Sequence, residues 1–167
     1  MLNFENIGDK FIQVVQTAEW EQLQEKYNNC NDIYVLGHGG NLAVADHAAV
    51  DMTRLSNGTK NAICPGSGVV ATSLINDSSF EQWMVQWLSC RTATRTKEQM
   101  KKSLVLGISS SGNSVDILKA LQWAADNGMQ IAMISSKDIP VEIRDLTKVL
   151  LGANYYHTAE VLTLLLT

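Results

Sequence analysis

Two stretches of this chain, rich in glycine with serine or asparagine, have the residue types to hold an anion. The first, Gly107 to Ser114, reads GISSSGNS. It ends an apolar run, Ser103 to Ile108, and opens a helical pattern from Ser114 to Asn127, so a strand, a turn and a helix are predicted. A phosphate needs several donors converging on it without side-chain bulk. Backbone N–H groups at a helix N-terminus supply them, and the helix dipole favours the negative charge. Ser109, Ser110, Ser111 and Ser114 add rotatable hydroxyls, and Gly112 lets the chain approach closely. Ser114 or Asn113 would cap the helix. An ordinary polar turn with a serine cap reads the same way, and the loop alone does not separate the two.

The second stretch is Gly37-His38-Gly39-Gly40-Asn41, after the short run Ile33 to Leu36. Gly39 and Gly40 bring the backbone close to something, yet the pattern is neither GxGxxG nor a P-loop. The helix predicted over Leu42 to Leu55 carries His47 and Asp51. Four residues apart, they share a helix face with Cβ atoms about 5–6 Å apart. That spacing suits two ligands of one metal ion or an acid–base pair. It suits a surface ion pair equally well.

The elements that must position these residues alternate along the chain. Phe4, Ile7, Phe11, Val14, Val15, Ala18, Trp20 and Leu23 recur at helical spacing, predicting an N-terminal helix over about 4–27. Further strands are predicted at Ala62 to Cys64, Gln130 to Ile134 and Val149 to Leu151. Helices are predicted at Val69 to Ile75, Phe80 to Cys90 and from His157 to Thr167, with Gly128 closing the helix before it from the left-handed region. Strands alternating with helices imply parallel βαβ units in a three-layer αβα sandwich. One domain over 1–167 is expected, with its α/β core at about 32–151.

Composition narrows the function classes. A net charge of −4, with basic residues concentrated only between Arg91 and Lys102, argues against a nucleic-acid partner. No apolar run approaches the ~20 residues that span a bilayer. Met1 to Phe11 has no leader pattern, and Cys30, Cys64 and Cys90 have no ligand-like spacing, so reduced thiols and a cytoplasmic location are expected.

Taken in order, GHGGN, HAAVD, the Leu74-Ile75-Asn76-Asp77 segment and GISSSGNS resemble the sugar isomerase (SIS) family, and within it the phosphoheptose isomerases. The resemblance implies a parallel, flavodoxin-like sheet. It implies a phosphate site at Ser109, Ser110, Ser111, Asn113 and Ser114, and sugar contacts from Gly39, Gly40, Asn41 and Asp77. It also implies a homotetramer or dimer with sites between subunits, acting on sedoheptulose 7-phosphate in the cytoplasm. Asp51 and His47 would be the catalytic pair, and His47, Asp51 and His157 could hold zinc or another divalent metal. Three positions depart from the family. Asp51 replaces a glutamate, Asn41 replaces a serine, and Leu165 falls where a catalytic histidine is expected. The departures leave open a non-catalytic phosphosugar sensor or protein-binding adaptor.

Overall fold

The computed structural model describes residues 5–167. Five parallel strands form one sheet: β1 (Asp32–Leu36), β2 (Asn61–Ile63), β3 (Ser103–Ser109), β4 (Gln130–Ser135) and β5 (Thr147–Leu150). Their spatial order is β2-β1-β3-β4-β5, the flavodoxin-like order. Asp32 to Leu36 pairs with Ser103 to Gly107, and Leu104 to Ser109 pairs with Gln130 to Ser135.

Strands buried on both faces read as continuous apolar runs, and β1 and β3 are buried at every position. Successive side chains still point to opposite sides. Ile33, Val35, Leu104, Leu106, Ile108 and Ile134 enter one core. They meet α1 (Ile7–Val15), α2 (Ala18–Asn29), α3 (Gly40–Leu55) and α8 (Tyr156–Leu166) there. Tyr34, Leu36, Val105, Ile131 and Met133 enter the other. This second core is shared with α4 (Gly68–Asp77), α5 (Trp83–Thr92) and α7 (Val115–Asp126). Three layers result, as expected.

Two local readings change, at the N-terminal helix and at the start of α5. The single N-terminal helix is two, because the Thr17 hydroxyl accepts from the N–H of Trp20 and starts a new helix. Phe4 lies outside the described residues. The stretch around Arg95 contains a short helix, α6 (Lys97–Lys101), begun by a capping box between Thr96 and Gln99. Helix α5 starts at Trp83, which leaves Phe80 in the preceding turn. Gly128 ends α7 at φ +78°, with the N–H of Met129 returning to the Ala124 carbonyl.

All three cysteines are free thiols. Burial pushes the Cys30 thiol up to about 11 and the Cys64 thiol up to about 12, so neither is a thiolate nucleophile at neutral pH. Among the described residues, no helix is long and apolar enough to cross a membrane.

Candidate functional site

In an open parallel sheet, ligands bind beyond the carboxyl ends of the strands where the strand order reverses. Here that point lies between β1 and β3, the two strands that carry the glycine and serine loops. The loops touch: the Asn41 amide donates to Ser110 Oγ at 3.0 Å.

The serine loop is tied from within. Ser109 Oγ lies 2.8 Å from Ser114 Oγ and 3.3 Å from Ser111 Oγ, and Ser111 Oγ accepts from the N–H of Asn113 at 3.2 Å. Gly112 turns the chain at φ +70°, and a Cβ there would stand 2.9 Å from the carbonyl oxygens of Lys137 and Asp138. Ser114 occupies the cap position of α7, yet its side chain bonds Ser109 and makes no cap. The expected serine cap is therefore absent, and the first N–H groups of this twelve-residue helix are left for another acceptor.

At the glycine loop, Gly39 has φ +55°, a conformation that favours glycine. Gly40 makes the close approach expected of it, here to a side chain of the protein itself. The Glu160 carboxylate of α8 occupies the space a Cβ would need. Gly40 therefore makes room for a protein side chain.

Sequence reasoning did not find the pair beside these loops. His38 Nε2 bonds Asp116 Oδ2 at 2.8 Å, and Trp83 Nε1 donates to the same oxygen at 2.8 Å. Asp116, in the first turn of α7, has no exposed surface. The His38 ring stacks on Phe80 with centroids 5.6 Å apart. Buried polar atoms without partners cluster here too. Four such side-chain atoms occur among the described residues, and three belong to Asn41, Asp116 and Ser136, all beside the carboxyl ends of β1, β3 and β4. Leaving such an atom unpaired costs about 1–3 kcal/mol, so a concentration of them marks a place where a polar ligand would be welcomed.

The remaining candidates lie elsewhere in the protomer. Asp51 is eleven residues beyond Gly40 on α3, about 16 Å of helix away. Its carboxylate meets Arg54 at 3.0 Å and His47 at 3.4 Å, an ion pair on an exposed face. Asp51 also borders an apolar cavity of about 240 Å³ lined by Trp20, Leu23, Met52, Leu55 and Leu166. Asp77 is exposed at the end of α4, where its carboxylate accepts from the Asn76 amide. His157 packs between the rings of Tyr155 and Tyr156 at the start of α8. Among the described residues no three His, Cys, Asp or Glu side chains are gathered closely enough to hold a metal ion. The expected set of His47, Asp51 and His157 therefore does not fit zinc within one protomer. Leu165 is an exposed residue of α8.

No family model matches the sequence. The chain is 31% identical over 120 residues to a phosphoheptose isomerase of Helicobacter pylori, covering 70% of this chain and 59% of that protein. It thus spans about three fifths of the length of the curated relatives it matches. The fold matches a phosphoheptose isomerase from Neisseria gonorrhoeae with a TM-score of 0.79 at 19% identity, over 96% of this chain and 86% of that one. A phosphoheptose isomerase from Francisella tularensis matches with a TM-score of 0.73 at 16% identity, over 95% and 86% of the two chains. In sequence the chain is similar to the phosphoheptose isomerases, and its β2-β1-β3-β4-β5 sheet shares the fold of the solved ones.

Proposed function

We propose that the chain binds a sugar phosphate at the serine loop and interconverts its aldose and ketose forms, with a phosphoheptose such as sedoheptulose 7-phosphate as substrate. The observation that carries this reading is the clustering of unpartnered buried polar atoms of Asn41, Asp116 and Ser136 around the uncapped start of α7. The phosphate would take the free N–H groups of α7 and the hydroxyls of Ser109, Ser110, Ser111 and Ser114. The sugar hydroxyls would meet Asn41 and its neighbours.

Isomerisation needs a base at C1/C2 and a second group that moves a proton between the two oxygens. Asp51, with His47 beside it, is the base in this reading and is supplied by a second copy, because its own serine loop lies too far along α3. Exposed Val50 and Leu55 on α3 and Val161, Leu164 and Leu165 on α8 favour such a homo-oligomer, a tetramer or a dimer. A single domain over 1–167 belongs to the same reading, since both cores flank one sheet. So does a cytoplasmic location, where the substrate would be made. No step is assigned to a metal ion.

Turnover of sedoheptulose 7-phosphate tests the reading, with Asp51→Ala and Ser110→Ala beside the parent protein. The parent should convert the ketose to the aldose, and each variant should lose at least tenfold in kcat/KM. A parent that binds the sugar phosphate without converting it would make the chain a sensor or adaptor instead.

A further inference from the structure

Resting on the isomerase reading, we propose that His38 is the catalytic residue that moves the proton between the substrate's O1 and O2, with Asp116 as its positioning residue. The groups at the switch point set the choice. The hydroxyls of Ser109, Ser110, Ser111 and Ser114 and the amides of Asn41 and Asn113 do not exchange a proton readily near neutral pH. Besides the exposed Lys137 and Asp138 in the turn after β4, the ionisable side chains there are His38, Asp116 and Glu160. Asp116 is fully buried, with both donors on Oδ2 and its Oδ1 unpartnered, and the Glu160 carboxylate lies over Gly40. His38 combines an unpartnered ring nitrogen with an exposed side chain.

Its Nε2 is committed to Asp116, which leaves Nδ1 without a partner among the described residues. The ring packs against Phe80 in a stack and against Trp83, tilted, at a centroid distance of 6.2 Å. Its side chain remains 36% exposed, so a ligand can reach it. A buried carboxylate bonded to Nε2 fixes which nitrogen faces outward. The other charged groups nearby, Glu81 before α5 and Lys119 on α7, pair with each other.

The step balances without a co-reactant. As the base takes the C1 proton, the C1–H electron pair forms the C1=C2 bond. The carbonyl electrons move to O2, which receives a proton from His38. His38 then removes the O1 proton, the C1 carbonyl forms, and C2 gains the proton that the base took from C1.

The test compares the parent protein with His38→Gln, Asp116→Asn and Glu160→Gln, measuring kcat and KM with sedoheptulose 7-phosphate. His38→Gln should lower kcat at least 100-fold with KM little changed, in line with the usual contribution of a proton-transfer group. Asp116→Asn should lower kcat more than tenfold with KM little changed, because an amide no longer fixes which ring nitrogen of His38 faces outward. The proposal is overturned if His38→Gln keeps kcat within threefold, if only KM rises, or if Glu160→Gln alone abolishes turnover. A kcat within threefold of the parent in Asp116→Asn, or a rise in KM alone, overturns the role of Asp116. A parent without turnover overturns the isomerase reading itself, which the three variants cannot do.

Discussion

Trp83→Ala should destabilise the protein by about 3–5 kcal/mol, the range for truncating a large buried aromatic side chain. Trp83 is 2% exposed and fills the core between α5 and the sheet face carrying Leu36 and Met133. It also donates to Asp116 Oδ2, so its loss leaves a fully buried carboxylate with His38 as its one remaining partner. In a chain of this length that loss lowers Tm by roughly 10 °C. Trp83→Phe separates the two contributions. It keeps most of the packing and removes only the N–H, for a cost of about 1–3 kcal/mol. Urea unfolding of both variants measures the difference. Equal losses in the two would show that the hydrogen bond to Asp116, and not the packing, dominates at this site.

Gly112→Ala should lose both stability and ligand affinity. A residue with a Cβ at φ +70° costs roughly 1–2 kcal/mol. The new Cβ would also press on the carbonyl oxygens of Lys137 and Asp138, which are backbone and cannot swing aside. The loop must move, and Ser109, Ser111 and Ser114 lose their mutual spacing. Binding of sedoheptulose 7-phosphate should weaken more than tenfold. Gly128→Ala is the matched control. It has φ +78° with nothing within 4 Å of a Cβ, so it shares the strain but not the displacement. Its stability should fall by a similar 1–2 kcal/mol while binding is unchanged. Unaltered binding in Gly112→Ala, read by titration calorimetry, would mean the serine loop is not where the phosphate sits.

The sheet was legible because β1 and β3 are buried on both faces and so read as unbroken apolar runs between glycine-bearing turns. The N-terminal helices were harder. Apolar spacing continues through Gln16 and Thr17, and only the side-chain bond from Thr17 decides that a new helix begins. The serine and glycine loops were found from residue types alone, since both stand at strand ends. The His38–Asp116 bond was not, because 78 residues separate its partners and only the adjacency of β1 and β3 brings them together. Glu160 over Gly40 is the same kind of case, a contact between α8 and α3 that no local pattern encodes. The helix spacing of His47 and Asp51 was read correctly as one face, but spacing says nothing about what faces them. In the protomer that is Arg54 and solvent.

In the proposed function, the uncapped start of α7 and its serines hold the phosphate of a sugar phosphate. Isothermal titration of sedoheptulose 7-phosphate into the parent protein and into Ser110→Ala tests it most directly, with inorganic phosphate as competitor. The parent should bind the sugar, inorganic phosphate should displace it, and Ser110→Ala should bind at least tenfold more weakly, a loss of about 1.4 kcal/mol. Equal affinity in the two proteins, or binding that inorganic phosphate does not disturb, would contradict the account.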